Sequence, residues 1–393
     1  MHARLVGILF LTASDAVLST APLESQAPAR RDSAGVVIVT SPPGTAERPS
    51  RWTVDTVPDL QLGVASGDPR YEFSRITGVG ALPNGEIIVV DGASAQLRFF
   101  DARGTFVRRA GGRGNGPGEF LQPRLVPAQR FDSILIADSR RGRLTTLRLD
   151  GSLVSTAPLT DRSPVIGQVA PGLIAVTSTI SVFATESAEV RRSPYSVRIL
   201  SIGGATRVDT LVTYTIVQIA ARGPSGVNLA AGPPFAVFPR AAAGQGAVFT
   251  TDGMDPAIRR YDPSGRLTVI FHVGRTLPPV TREEVSDSLD AVLRGWTDGP
   301  TIRRIAGEIP IARTRPAWDD LVIDAEGNVW AAHARSDRRQ PRHWTVVSPD
   351  GVVFGTVSTP ADVIIRYIGR DFVLGLWRDA DAVEYVRRYR LQR

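Results

Sequence analysis

VVDGASAQLRFFDARG (residues 89–104), IADSRRGRLTTLRLDG (136–151) and TTDGMDPAIRRYDPSG (250–265) align without a gap. In each, an apolar or β-branched run ends on an Asp, an apolar residue follows six positions later, and a Gly stands thirteen positions after the Asp. The anchors are Asp91, Leu97 and Gly104; Asp138, Leu144 and Gly151; Asp252, Ile258 and Gly265. One spacing kept at three separate places marks a repeated supersecondary unit, and the repeat period decides the architecture.

The unit reads as an antiparallel meander. Residues 86–90 (Glu-Ile-Ile-Val-Val) are a β-rich run, a polar loop follows, 96–100 are a second run, and Ala-Arg-Gly turns the chain into 105–109. Gly104, Gly151 and Gly265 supply the positive φ that a tight hairpin turn needs and that a Cβ opposes. Asn84–Gly85 and Glu326–Gly327 are further hairpin signals before β-rich runs. Strands arrive about every ten residues with little helical periodicity between them, so the expected class is all-β.

Six four-stranded units can be counted, over about 75–110, 122–159, 164–214, 234–273, 317–358 and 361–391. The last shows only three strands. Its fourth is expected from the N-terminal run 52–60, with Val36–Thr40 beside it, which joins first and last units and removes open sheet edges. The expectation is a six-bladed β-propeller over 35–393, with an insertion at about 275–316 between blades four and five.

Within that insertion Thr281-Arg-Glu-Glu284 fits a capping box. Val285, Leu289, Val292 and Leu293 fall on one helical face, so a helix is expected over about 282–294. Ile302, Ile305 and Ile309 suggest that the cap continues to Pro310. It reads either as cover for propeller surface or as a lid over a binding face.

Composition narrows the chemistry. The chain has 393 residues, 42% hydrophobic and 22% charged, with no Cys and four histidines, His2, His272, His333 and His343. Disulfides, thiolate zinc sites and iron–sulfur clusters are excluded, and a three-His metal site would need every His outside the extreme N-terminus. All 46 basic residues are Arg, which rules out a Schiff-base or P-loop lysine. Their scatter along the chain reads as codon usage rather than as a nucleic-acid footprint, despite a net charge of +7. The basic start and nine apolar residues of 5–13 have the form of a secretory signal, taken as 1–21, with 22–34 as linker. No later stretch is long and apolar enough to span a bilayer.

RRAGGRGNGPGEFLQP (108–123), together with Asp138, Arg143 and Leu144 of ADSRRGRL (137–144), resembles the NHL-repeat type of six-bladed propeller. Trp52, Pro58, Leu60, Leu62 and Gly63 are similar to the lead-in of exported bacterial six-bladed propellers. Where that pattern has Arg143, blade one has Gln96 and blade four Ala257, which departs from a full ring of Asp–Arg pairs. The resemblance implies a binding scaffold and no established reaction.

Site residues are sparse. GGRGNGPG (111–118) lacks the spacing and the Lys of a phosphate loop and reads as a blade linker. No serine-hydrolase or zincin motif occurs, so no catalytic residue, cofactor or metal ligand is assigned. Asp91, Asp138 and Asp252 could offer oxygen ligands to a hard cation, but the expected role of each is to cap its own loop. The three later histidines are read as packing or loop residues. In HARSDRRQPRHW (333–344), Arg335, Arg338, Arg339 and Arg342 are offset by Asp337 alone, giving a candidate rim for an anionic partner. The functional expectation is an exported (periplasmic, outer-membrane-associated or secreted), monomeric, non-enzymatic propeller that binds a protein or small molecule, with nucleic acid unlikely as a partner. The alternatives are a divalent-cation-dependent hydrolase or lyase of the lactonase kind, and an RNA-binding NHL-type propeller.

Overall fold

A computed structural model describes residues 27–393 except 129–131, 160–162, 180–187, 204–205, 223–227, 294–298, 310–311, 336 and 338. The signal expected at 1–21 and residues 22–26 of the expected linker lie outside the described residues, and the rest of that linker holds the strand Ala29–Ser33.

The described chain forms six sheets in succession, antiparallel save for one parallel pair, and the meander of each begins with a short inner strand. These are Ile76–Ala81, Pro123–Leu125, Val165–Ala170, Arg240–Gly244, Trp318–Ile323 and Ile364–Ile368. Each inner strand packs against the next and the sixth against the first; between the second and third, the Gln168 amide donates to the Pro127 carbonyl at 2.9 Å. A closed ring of inner strands around a central channel is the geometry of a propeller. The blades pack closely there: a Cβ on Gly78 would stand 2.3 Å from that of Leu125, and one on Gly167 would stand 2.5 Å from the Ala243 carbonyl.

The six expected units match the sheets, with two differences. Blade three is larger than the repeat suggests, because its third and fourth strands run Glu189–Ser201 and Thr206–Arg222 and are joined by a fifth, Asn228–Ala231. The β-branched run of residues 208–219 sustains the long pairing. The end of the meander closes as expected: Thr53–Val54 and Leu60–Leu62 both pair with the last strand, Glu384–Gln392. Val36–Thr40, however, does not join blade six. It pairs in parallel with Leu267–His272 at the outer edge of blade four, and Ala29–Ser33 folds back on it to give a six-stranded sheet. Val39, 1% exposed in the blade-four core cluster, anchors that docking.

The repeat register is confirmed by backbone conformation at the turn glycines, with φ of 86°, 91° and 87° at Gly104, Gly151 and Gly265. Gly104 has a second duty, since a Cβ there would lie 2.7 Å from Leu60 and 2.9 Å from Leu62. Gly104→Val should therefore cost about 2 kcal/mol, from left-handed strain plus crowding of the closing strand. Denaturant titration should show it, and a midpoint equal to the parent's would contradict both arguments.

Two helices interrupt the meander after blade four, α1 (Arg282–Leu293) and α2 (Gly299–Gly307). The capping box at α1 is present: the Glu284 amide donates to Thr281 Oγ1 at 3.2 Å, and the Thr281 amide donates to the Glu284 carboxylate at 2.8 Å. Leu289, Ile302, Ala306 and Ile309 pack on Ile219 of the blade-three hairpin, so the cap bridges from blade four back to blade three. The side chains of Val292 and Leu293 lie outside the described residues.

Candidate functional site

The arginine loop of blade five does not present four guanidiniums to solvent. Arg342 opens the strand Arg342–Val347 and is buried; it pairs with Asp319 and, at 3.5 Å, with Asp320, and its guanidinium stacks 4.7 Å over Trp344. Arg335 turns inward and donates to the carbonyls of Gln340 (2.9 Å) and Ala361 (3.0 Å). Arg339 reaches solvent, where it pairs with Asp337 at 3.2 Å, and Arg338 lies outside the described residues. Of the four residues expected at the rim, Arg342 is instead a strut inside the blade, because two acids of the first strand of the same sheet offset its burial.

The repeat aspartates act locally. Asp138 is fully buried and accepts the amides of Leu121 (2.7 Å), Gln122 (3.3 Å) and Arg141 (3.3 Å), tying the blade linker to its own loop. Asp91 accepts the amides of Arg75 and Ala93, both at 3.1 Å, and the Ser94 hydroxyl at 2.7 Å. Arg98 stands 3.5 Å from it, so blade one draws its Asp–Arg pair from a different position than blade two would suggest. Asp252 accepts the amides of Met254 and Asp255 at 2.9 Å. Among the described residues no three His, Asp or Glu side chains are grouped so as to hold a metal ion.

The glycine-rich linker closes on itself. The Gly114 amide donates to the Phe120 carbonyl at 3.2 Å and the Gly116 amide to the Glu119 carboxylate at 2.7 Å, while Phe120 is fully buried. Amides that a phosphate loop would aim at a ligand are here committed to the turn.

A cavity of about 500 Å³ opens where the blade-three hairpin, the segment 232–239 and the end of the cap meet. Tyr214, Val217, Ala236, Phe238, Asp252 and Ile309 line it, so its walls are largely apolar with a few polar groups. Tyr214 donates or accepts at the Thr250 hydroxyl (2.8 Å), and burial raises its phenol pKa. Phe235, beside this wall, holds φ of 60°, an uncommon conformation for a bulky residue and one that clusters at functional loops. Arg315 lies over its ring at 5.4 Å and pairs with Glu284 of α1, which fixes the linker to the cap. The sequence signal for this wall is GPPFAVFP (232–239), an apolar, proline-rich run placed between two sheets.

His333 ends the second strand of blade five, the place that Asp91 and Asp138 hold in theirs. Its Nε2 lies 2.8 Å from the Thr345 hydroxyl, and its ring lies 5.7 Å from Trp318 and 6.2 Å from His343. His343 Nδ1 lies 2.8 Å from the Ser358 hydroxyl. Burial, then the nearby Arg275 and His343, depress the His333 pKa to about 3, so the ring is neutral at pH 7.

Comparison with known proteins agrees with this architecture. Residues 70–168 match a family model described as a 6-bladed beta-propeller. Those residues hold blade one, blade two and the glycine-rich linker. Among solved structures, an exported protein from Bacteroides fragilis is 12% identical, with 86% of this chain and 98% of that one covered and a TM-score of 0.46. A member of the DUF4221 family from Bacteroides vulgatus is 9% identical over 86% and 98% of the two chains, with a TM-score of 0.49. Virginiamycin B lyase from Staphylococcus aureus is 10% identical over 87% and 100%, with a TM-score of 0.39. No curated protein sequence matches the chain. The NHL likeness therefore stands as one of fold.

Proposed function

We propose that this protein is an exported, monomeric, non-enzymatic binding scaffold whose ligand sits in the cavity between blades three and four. The observation that carries the reading is the cavity itself, about 500 Å³ with apolar walls and the polar groups of Tyr214 and Asp252. That combination of size and lining is typical of small-molecule sites, whose few polar groups orient an otherwise apolar guest. The cap supports it as well, because Ile309 and Ala312, which follow α2, line the cavity while the helix itself packs on the blade-three hairpin. Export is read from the basic and apolar start of the sequence; no described helix is long and apolar enough to cross a membrane. The repeat aspartates favour binding over cation chemistry, since backbone amides already engage all three.

The test uses an amphipathic fluorescent guest, anilinonaphthalene sulfonate. The folded protein should bind it saturably at one equivalent. Ala236→Trp, which fills the cavity from an exposed position, should weaken binding by at least about tenfold, the loss of about 1.4 kcal/mol of contact. Metal content of the purified protein is measured in parallel. Unchanged guest binding in Ala236→Trp, or a stoichiometric divalent metal, would overturn the reading.

A further inference from the structure

The inner strands leave a second, smaller cavity of about 110 Å³, lined by Thr77 and Gly78 of blade one, Arg124 of blade two, Val165 of blade three, and Arg366 and Tyr367 of blade six. Four blades can meet at one space only in the central channel. Arg124 and Arg366 both line it, and among the described residues neither guanidinium has a hydrogen bond or a salt bridge. Both keep contact with solvent although the ring of blades surrounds them, so the water that they touch is channel water.

The charge balance around them is uneven. Arg366 feels Asp320 and Glu384 as opposing charges and Arg124 and Arg378 as like charges, while burial depresses its pKa. Both carboxylates are already engaged. Asp320 faces Arg342 at 3.5 Å, and Glu384 pairs with Arg378 and accepts the Ile76 amide. Two guanidiniums therefore share a solvent-reached space in which no carboxylate is hydrogen-bonded to either. A water molecule takes about 30 Å³ of liquid, so the cavity is the size of three or four waters, which suits a small oxyanion. Guanidiniums are the side chains best shaped to hold phosphate or carboxylate oxygens in pairs.

We propose that the central channel is an anion site in which Arg124 and Arg366 together hold one small oxyanion of phosphate size. The site is separate from the cavity proposed above, lies among inner strands that the cap does not reach, and stands or falls independently of that cavity.

Inorganic phosphate is titrated into the full chain at constant ionic strength, with chloride as the balancing anion, and followed by calorimetry and by the melting midpoint. The parent should bind one phosphate saturably and melt higher as phosphate replaces chloride. Arg124→Gln and Arg366→Gln should each weaken binding about ten- to hundredfold, the range for losing a hydrogen bond to a charged group, and the double variant should abolish it. Arg109→Gln, on an exposed strand of blade one, should leave binding unchanged. Equal response to phosphate and chloride in the parent, which needs no variant to fold, would overturn the proposal; so would phosphate binding that survives in the folded double variant.

Discussion

A chain that begins at Gly63 will lose its cooperative melting transition and aggregate, whereas one that begins at Ser41 will melt a few degrees lower and remain monomeric. The segment between these two start points closes the ring. Thr53–Val54 and Leu60–Leu62 pair with Glu384–Gln392, and Leu62 is 1% exposed. Trp52 stacks 4.6 Å from Phe354 and 6.2 Å from Trp330, with the Arg393 guanidinium 4.5 Å over it. Arg393 also ties the C-terminus to buried Asp324 at 2.8 Å. Burial of Trp52, Val54, Leu60 and Leu62 contributes roughly 1.5–3 kcal/mol each, so their removal costs about 6–12 kcal/mol. That is comparable with the whole stability of a typical domain, about 5–15 kcal/mol. It also leaves the last strand of blade six as an open edge, which invites pairing with other chains. Loss of 27–40 is milder, because blade four keeps its own four strands beneath the hairpin. Scanning calorimetry and size-exclusion chromatography distinguish the outcomes, and a Gly63 chain with the parent's transition would refute ring closure by the N-terminus.

What could be read from sequence was what depends on neighbours in the chain. Gly104, Gly151 and Gly265 announce their turns because positive φ is a local demand, and the capping box at Thr281 is likewise local. The docking of Val36–Thr40 onto blade four was not legible, since nothing in a five-residue apolar strand says which distant edge it will join. Arg342 shows a different failure. Counting charges in HARSDRRQPRHW treated the stretch as a loop, although the strand that holds Arg342 begins there, and its acid partners Asp319 and Asp320 lie in a strand of the same sheet. Two acids inside an otherwise apolar strand were a sign that a buried cation would be found near them. The Arg124–Arg366 pair arises from elements far apart in sequence, so no local pattern could have disclosed it, and of the cavity between blades three and four only the run 232–239 left a local trace.

Acidification from pH 6.5 to pH 4 should cost the folded protein about 2–3 kcal/mol through His333, given an unfolded pKa of about 6.5. Its folded pKa of about 3 arises from burial first, and then from the Arg275 guanidinium and His343. Arg275 is itself depressed to about 10 by burial, against the opposing charge of Glu47, and lies 5.1 Å over Trp318, so a second cation in this corner would meet a first one already stripped of water. The sign follows from proton counting. Below pH 6.5 the unfolded chain takes up a proton at this His while the folded chain does not, so unfolding is favoured progressively as pH falls toward 3. Asp320 works in the opposite sense, since burial raises its carboxyl pKa and protonation then favours the folded state. Comparing His333→Gln with the parent cancels Asp320, which both retain. The variant should lie within about 1 kcal/mol of the parent at pH 7, where the ring is neutral and its Thr345 contact can be kept by the amide. At pH 4 it should be the more stable of the two, and urea titrations at both pH values measure the crossover. Parallel stability curves from pH 7 to 4 would mean that His333 titrates alike in the folded and unfolded chains, and that its corner of blade five is open to water.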